Sequence, residues 1–269
     1  MNPLFEGVKG NDAKDLVIFI IKTLNKELNL IPENQREDNN NQFTDQTDKN
    51  KMLIKFSNDF SKSYRSIIGD LFYFANCNTI QCSICKGVSY IYQAYFFLIF
   101  PLEEVRKFKL KNNSGFNNFN NNEVNIYDCF DYDKKINYMT GDYQMYCFYC
   151  KLIRDSSMYT HLTTGPEILI IILGRGDGKE YNIKINFDIY LNLSNYIEFQ
   201  NTGCQYELIG VITHIGESGK EGHFIAFCKE YWHNQWLKFN DNIVTNVNNF
   251  KSEVIDFATP YILFYQKKK

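Results

Sequence analysis

The stretch YELIGVITHIGESGKEGHFIAFCKEYWHNQWLKFND, residues 206–241, decides how the fold of this chain is interpreted. Its apolar runs are rich in β-branched and aromatic residues, a composition and alternation that favour strands. A polar segment within 229–235 separates the second run from a third, which predicts an antiparallel hairpin with its turn there. Such a hairpin brings His223 across the ladder from Asn240 and Asp241.

A histidine beside an oxygen acceptor is typical of a general base and the group that orients it. A lone histidine in a strand is more often structural, but Asn240 or Asp241 could accept the Nδ1–H bond that fixes a catalytic tautomer. The chain contains only four histidines, and the contexts of His161 and His233 indicate surface positions. We therefore predict that His223 is a catalytic base.

The eight cysteines contain two CxxC motifs, CSIC at 82–85 and CFYC at 147–150. Two such turns can supply the four thiolates of a tetrahedral zinc site, and the alternative is free thiols. The motifs lie too far apart in sequence for a compact zinc ribbon, so they would have to meet through the tertiary fold. The sequence predicts a structural zinc ion with the ligands Cys82, Cys85, Cys147 and Cys150.

None of the other four cysteines has the setting of a nucleophile. Cys228 lies in the strand of His223 at odd spacing, which places it on the opposite face and about 16 Å away. Neither Cys77, Cys129 nor Cys204 opens a helix after a glycine-rich turn, the setting that lowers a thiol pKa. We predict no nucleophile among the eight.

Composition and charge narrow the class of protein. The chain has 269 residues, 44% of them hydrophobic, with 23 Phe and 19 Tyr, enough for one large β-rich domain or two small ones. The net charge of -2 gives no reason to expect a nucleic-acid partner. We see no signal peptide and no apolar run that could span a membrane, so we expect no membrane partner and a cytoplasmic or nuclear location. Cysteines in those compartments are thiols or metal ligands rather than disulfides.

The pattern of apolar and polar residues along the chain predicts one helix followed by strands. A helix is expected from Asp12, its N-cap, to Leu30, with Asp15 completing a capping box. Residues 33–50 are polar and aperiodic and are interpreted as a flexible insertion. From Ser66 onward the apolar runs, beginning with IIGDLFYF, favour strands.

Five motifs in a fixed order give the chain a resemblance to the ubiquitin-specific proteases, the papain-like deubiquitinases. They are GNDAKDLVIFIIKTLNKELN, DLFYF with CSIC and YFFLIFPLEE, MYCFYC, PEILIIILGR, and the final set YELIGVITHIG, GHFIAFC and WLKFNDNIV. The resemblance implies an α+β fold, a papain-like cysteine protease with a partial thumb, fingers and a palm built on an antiparallel sheet. The segments it implies are a thumb helix in 1–32, a polar insertion plus linker in 33–63, mainly fingers with a zinc ribbon and an Asn-rich insertion (111–122) in 64–165, and a palm with the histidine box in 166–269.

Position by position, the resemblance implies thiol-dependent hydrolysis of isopeptide or peptide bonds at the C-terminal glycine of ubiquitin. His223 would be the base and Asn240 its orienter, with Asp241 sharing or replacing that role. Ubiquitin's tail would lie near Asp12, His214 and Gly222. The partners would be ubiquitin and ubiquitinated proteins, zinc would be structural, and catalysis would need no cofactor.

The chain also departs from the family pattern. Gly10 and Asn11 stand where the family has two glutamines, and Leu16 stands where it has Phe. The family's cysteine box comes well before the motif that contains Asp12, and we expect it to be missing here. The chain alone is then expected to be inactive, with apolar surface exposed on the Asp12–Leu30 helix. The alternatives are a non-catalytic ubiquitin-binding or scaffold module and a zinc-containing β-rich protein of no defined activity.

Overall fold

The computed structural model describes residues 11–35, 45–112, 122–176, 179–200, 203–219, 221–256 and 259–268. The helices in these ranges are α1 (Ala13–Glu27), α2 (Lys49–Ser63), α3 (Ile67–Phe72), α4 (Leu102–Asn112) and α5 (Ile126–Asp133). The strands are β1 (Phe74–Cys82), β2 (Val88–Tyr95), β3 (Leu98–Pro101), β4 (Glu123–Asn125), β5 (Asn137–Met139), β6 (Met145–Cys147), β7 (Leu152–Arg154), β8 (Ser156–Leu162), β9 (Ile168–Gly174), β10 (Lys184–Asn186), β11 (Tyr190–Asn192), β12 (Gln205–Ile215), β13 (His223–Glu230), β14 (Gln235–Asn240), β15 (Ile243–Asn246) and β16 (Thr259–Lys267). The predicted α+β fold with antiparallel sheets is confirmed.

The largest sheet, which we call the palm sheet, has the order β15-β14-β13-β12-β16-β9-β3, with β11 paired to β12. Its strands pair antiparallel except β3 with β9. One face packs against α4 and α5 in a core that includes Phe227, Leu263 and Tyr265. The other face packs against α1 and α3 through Ile21 and Ile68. The sheet therefore holds His223 at the start of a strand whose centre is buried.

A second, four-stranded sheet, the finger sheet, has the order β2-β1-β8-β5. The β6–β7 hairpin lies beside it, and the Ser83 N–H donates to the Asp155 carbonyl at 2.9 Å. Within 64–165, β3 pairs in the palm sheet and residues of α4 and α5 pack in the palm core. Within that range, the finger sheet and its neighbouring hairpin consist of β1, β2 and β5–β8.

Helix α1 begins as predicted and exposes an apolar stripe. The Asp12 side chain caps it by accepting from the Lys14 N–H at 2.8 Å, while Asp15 pairs with the Lys14 Nζ at 3.1 Å. The helix ends at Glu27, before the predicted Leu30. One stripe of its surface is apolar and exposed, and consists of Leu16, Ile20, Leu24 and Leu28. The expected exposed apolar surface on this helix is therefore confirmed.

Two parts of the sequence interpretation are wrong. Residues 49–63, assigned to a polar insertion and linker, form helix α2, which Asp48 caps by accepting from the Lys51 N–H at 3.0 Å. Its Phe56 ring packs 6.0 Å from that of Tyr92 in the finger sheet. Residues 67–72, read as strand, form helix α3, whose N-cap Ser66 accepts from the Gly69 N–H at 2.9 Å. The remaining insertion at 36–44 and most of the Asn-rich insertion, 113–121, lie outside the described residues.

Buried tyrosines make the fold sensitive to alkali. The hydroxyls of Tyr206 and Tyr265 donate to the carbonyls of Pro166 and Asp188, at 2.9 and 2.7 Å. Burial raises the pKa of both phenols above the ordinary tyrosine value. In the unfolded chain these phenols ionise at about pH 10, whereas in the folded protein they keep their protons at that pH. Their contribution to stability is therefore complete below pH 10 and falls as the pH rises further.

We expect the free energy of unfolding to fall by about 1.4 kcal/mol per pH unit for each such tyrosine above about pH 10. Urea unfolding at a series of pH values measures this slope. The Tyr265→Phe variant is the control, because it removes one titrating group and should make the slope shallower. A free energy of unfolding that stays constant up to pH 11 would contradict the prediction.

Candidate active site and metal centre

The hairpin predicted around 229–235 is present and joins His223 to Asn240. Strand β13 begins at His223, β14 ends at Asn240, and the pairing of Ala226 with Phe239 sets their register. The Nε2 atom of His223 lies 2.6 Å from the Oδ1 atom of Asn240. The structure therefore brings together the predicted base and its orienter.

The ring nitrogen that makes this contact is not the predicted one. The sequence interpretation placed the orienting bond at Nδ1, but the structure places it at Nε2. An amide oxygen can only accept, so Nε2 is the donor in this contact, and in the neutral ring the lone pair is then on Nδ1. The His223 side chain is 44% exposed, so a reacting group can reach it from solvent. This arrangement presents Nδ1 as the basic atom.

Asp241 lies near His223 but is a weaker partner. Its Oδ2 atom is 3.8 Å from Nε2, and its side chain is 77% exposed. An ion pair this exposed contributes at most about 1 kcal/mol. Asp241 also has a positive φ of 52°, a conformation that Asp tolerates better than most residues. Of the two predicted orienters, Asn240 makes the shorter contact.

His214 lies on the neighbouring strand, β12, and its ring contacts the Tyr181 hydroxyl. It is only 6% exposed, and its Nδ1 is hydrogen-bonded to the hydroxyl of Tyr181. A Cβ built on Gly222 would lie 2.4 Å from His214 Nε2, so a side chain at that position would collide with the ring. Burial lowers the pKa of His214, while the Asp12 charge acts in the opposite direction. Two of the residues predicted to bind the ubiquitin tail, His214 and Gly222, are thus in direct proximity.

Asp12, the third of these residues, is already engaged. Besides capping α1, its carboxylate accepts from the Tyr261 hydroxyl at 2.8 Å. The Tyr261 ring lies 5.6 Å from that of Phe224, which in turn lies 4.7 Å from the ring of His214. This chain of contacts ties the start of α1 to strand β13. The predicted role of Asp12 in binding a tail stays a prediction.

Two residues next to this site, Tyr181 and Arg175, were not predicted from the sequence. Arg175 donates from Nη1 to the carbonyls of Tyr181 and Ile183, at 2.8 and 2.7 Å, and from Nε to that of Pro260 at 2.9 Å. Burial lowers its pKa to about 10. Arg175 ends a predicted apolar strand, but nothing in the sequence around Tyr181 indicates that it contacts His214.

The two CxxC turns meet, as predicted, at the end of the finger sheet where β1 ends at Cys82; we call this end the fingertip. The Sγ atoms of the four cysteines all lie within 4.8 Å of one another, and those of Cys85 and Cys147 are 3.5 Å apart. A tetrahedral zinc ion with bonds of about 2.3 Å requires sulfur–sulfur distances of about 3.8 Å. The four thiols therefore fit a structural zinc ion.

The two turns share one backbone feature, and each has a backbone N–H bonded to a sulfur, although at different positions of the motif. Each motif is followed by a lysine in the left-handed region, Lys86 with a φ of 61° and Lys151 with a φ of 57°. The Gly87 N–H donates to Cys85 Sγ at 3.4 Å, and the Cys150 N–H donates to Cys147 Sγ at 3.3 Å. Such bonds stabilise thiolates, which is the form that binds zinc. The backbone of both turns therefore favours the thiolate form that a zinc ion requires.

The other four cysteines are poor nucleophiles. Cys77, Cys129 and Cys204 are buried, and Cys228 is exposed on β13. Burial raises the thiol pKa of Cys77, Cys129 and Cys204, while Cys228 lies on the strand of His223, five residues further on. A thiol with a raised pKa holds its proton at neutral pH and so attacks carbonyl carbon slowly.

The sequence of this chain is similar to those of known proteins of one family. A family model described as ubiquitin carboxyl-terminal hydrolase matches residues 1–265. Usp2 of Drosophila melanogaster, a ubiquitin carboxyl-terminal hydrolase, is 24% identical over 270 residues, 98% of this chain and 26% of that protein. Ubiquitin carboxyl-terminal hydrolase 8 of Saccharomyces cerevisiae is 31% identical over 156 residues, 52% of this chain and 32% of that protein.

Solved structures show the same fold. A structure of the yeast SAGA DUBm with an Sgf73 mutant aligns with a TM-score of 0.65 and 24% identity, covering 96% of this chain and 51% of that chain. The SAGA Ubp8/Sgf11/Sus1/Sgf73 DUB module bound to ubiquitin aldehyde aligns with a TM-score of 0.61 and 22% identity, covering 96% and 50%. The chain thus spans between about a quarter and a half of the length of these proteins. Among the described residues, no helix is long and apolar enough to cross a membrane.

Proposed function

Because the chain belongs to the ubiquitin carboxyl-terminal hydrolase family, we propose that it carries the base half of a thiol-dependent deubiquitinase site. The reaction is hydrolysis of isopeptide or peptide bonds at the C-terminal glycine of ubiquitin. The observation that supports this most is the 2.6 Å contact between His223 Nε2 and Asn240 Oδ1. It fixes the tautomer in which Nδ1 can accept a proton.

Each residue has a definite part in this proposal. Nδ1 of His223 takes the proton of an attacking thiol, and the resulting thiolate forms a thioester with the glycine carbonyl carbon. The imidazolium then protonates the leaving lysine amine, and water hydrolyses the thioester. Asn240 keeps the ring in position, and Asp241 adds a minor electrostatic contribution.

The nucleophile is the part that these residues do not supply. Four cysteines form the zinc cluster, Cys77, Cys129 and Cys204 are buried with raised thiol pKa values, and Cys228 lies five residues after His223 on the same strand, at the odd spacing that puts the two on opposite faces. We therefore infer that the thiol comes from a cysteine outside this sequence and that the chain is inactive by itself. Its partners are ubiquitin and ubiquitinated proteins, held by the fingers and by the site around His214. None of the eight cysteines forms a disulfide, which fits a reducing compartment, the cytoplasm or nucleus.

A second candidate is a ubiquitin-binding or scaffold module without catalysis. The burial of three of the four cysteines outside the zinc cluster favours it. A pure binding module would not need the contact between His223 and Asn240, so we place it second.

Turnover of a fluorogenic ubiquitin amide tests the proposal. The chain alone should give none. Co-expression with a separate polypeptide that carries the family's cysteine box should give turnover, and His223→Ala should lower it by about a thousandfold or more. His233→Ala is the matched control, because His233 is an exposed histidine in the hairpin turn that contacts Glu230, and it should leave turnover unchanged.

Several outcomes separate the candidates. Turnover that survives His223→Ala in the co-expressed complex would overturn the role of His223. Turnover by the chain alone that is lost on His223→Ala would show that one of its own cysteines attacks. Binding of ubiquitin without turnover in any complex would favour the scaffold function.

A further inference from the structure

Strand β15 forms an exposed edge of the palm sheet beside the proposed catalytic base. A turn at Asp241 and Asn242 joins it to β14, and its first residue, Ile243, pairs with Asn240. All four residues of β15 are exposed, and it is the last strand in the order of the palm sheet. One end of this edge therefore lies next to the contact between His223 and Asn240.

The outer side of β15 presents backbone groups to an incoming strand. The Val247 N–H donates to the Trp236 carbonyl at 2.9 Å. Because backbone groups along a strand point alternately to either side, those of Thr245 point to β14 and those of Val244 and Asn246 point away from it. No strand among the described residues pairs with this outer side. An extended polypeptide can therefore bind here through main-chain hydrogen bonds.

The side chains of β15 also favour a partner. Residues 243–246 read IVTN and contain neither a charge nor a proline, the devices that protect an edge strand from pairing. Ile243 is 59% exposed and Val244 is 53% exposed, and as successive residues of a strand they lie on opposite faces of the sheet. Val244 pairs with Phe239, which is 37% exposed. Exposed β-branched residues on both faces of the strand suit a second strand of similar composition.

The position of this edge fits the protein that departs from the reaction. On one side of β13 lies β12, in which His214 is only 6% exposed. On the other side lie the edge strand and Asp241, whose side chain is 77% exposed. The leaving amine belongs to a protein, which is too large to be enclosed and has to extend over the exposed side. This position favours a segment close to the modified lysine as the partner of β15.

We propose that β15 binds an extended segment of the protein from which ubiquitin is removed, as an added antiparallel strand. This inference rests on the proposed function, which supplies the modified lysine. Neighbouring strands lie about 4.8 Å apart, so the added strand lies about 14 Å from β13. A lysine side chain spans less than half of that distance, and about two or three extended residues at about 3.3 Å each cover the rest.

The direction of β15 determines which side of the lysine binds. The strand runs from Ile243, beside the site, to Asn246, away from it, so an antiparallel partner runs toward the site. Antiparallel pairing continues the order of β12 to β15 and is the more stable kind per residue. The bound segment therefore precedes the lysine, and uncharged β-branched residues suit it best.

NMR titration of the full chain with two synthetic peptides tests the surface without ubiquitin. One peptide has Val-Thr-Val ending about three residues before its single lysine, and the other has Gly-Ser-Gly in that place. The amide signals of Val244 and Asn246 should shift with the first peptide only. Val244→Pro removes an outward N–H without removing a bond to β14, so it should abolish the shift at Asn246, whereas the matched control Val244→Thr should keep it. No shift in β15 of the wild type would overturn the inference and leave the proposed function intact.

Ubiquitin conjugates test the same surface in the substrate. Ubiquitin is joined through its C-terminal glycine to the lysine of each peptide and titrated onto the full chain. The Val-Thr-Val conjugate should bind about tenfold more tightly than the Gly-Ser-Gly conjugate, the effect of about one or two hydrogen bonds, and Val244→Pro should remove the difference. A conjugate in which Val-Thr-Val follows the lysine should bind like the Gly-Ser-Gly conjugate.

The outcomes separate this inference from the proposed function. Equal binding of all three conjugates by the wild type would overturn the role of β15. If neither ubiquitin nor any conjugate binds, the proposed function fails, while the peptide titration still decides whether β15 accepts an added strand.

Discussion

Replacing Cys147 by serine should remove zinc from the protein and unfold the fingertip while the palm sheet remains. Cys147 is buried, and its sulfur lies 3.5 Å from that of Cys85 on the opposite knuckle. Serine cannot act as a soft anionic ligand, so the four-sulfur shell is lost. Structural zinc contributes on the order of 10 kcal/mol to the folding of small zinc modules, which makes this one of the largest effects expected here.

The measurement has two parts. Metal analysis should give one zinc ion per wild-type chain and none for Cys147→Ser, and hydrogen exchange should become fast at both knuckles. Cys228→Ser is the matched control, because Cys228 is an exposed cysteine on β13 outside the cluster, and it should keep its zinc. If wild-type protein binds no zinc and chelators leave hydrogen exchange unchanged, the four cysteines are free thiols.

Truncation of Phe227 to alanine should destabilise the palm by about 3–5 kcal/mol. Phe227 is 0% exposed and lies on β13 in the main core, four residues after His223. Removing its ring leaves a cavity that the paired strands on either side cannot close. The loss should appear as a lower urea midpoint with an unchanged slope.

Phe239→Ala on the adjacent strand provides the matched control. Phe239 is 37% exposed, so the same truncation should cost no more than about 1–2 kcal/mol. Equal losses from the two variants would contradict the assignment of Phe227 to the core. Because β13 also carries the proposed base, proteins with Phe227→Ala should lose the His223–Asn240 contact when they unfold, in a single transition.

The parts of the site that depend on local pattern could be predicted from the sequence. Alternation located the β13–β14 hairpin, and the turn within 229–235 brought His223 to Asn240. The CxxC spacing located the zinc ligands, since a CxxC turn aims two thiolates at one point whatever surrounds it. The hairpin and each CxxC turn are set by a few consecutive residues, and the meeting of the two turns was predicted because one zinc shell needs four thiolates.

Contacts between distant residues that no motif connects could not be predicted. Tyr181 and His214 lie 33 positions apart, and no periodicity connects them. Which nitrogen of His223 faces Asn240 depends on the rotation of the ring, which residue spacing does not determine. The segment of helix α3, IIGDLF, has too few apolar positions to separate the helical period from the strand period, and only the N-cap Ser66 distinguishes them. Helix α2 was not predicted because most of its residues are polar, and its contact with the finger sheet through Phe56 is not visible in the sequence.

The central place of β16 in the palm sheet has a consequence for synthesis on the ribosome. This strand pairs with β12 on one side and β9 on the other, and joins two groups of strands that do not otherwise pair with each other in the described residues. The two groups therefore cannot join into one sheet until residues 259–267 have been synthesised, a delay of a few seconds after β12 at about 5–20 residues per second. During that interval the edges of β9 and β12 that later pair with β16 lack this partner, and unpaired strand edges of this kind are prone to aggregation.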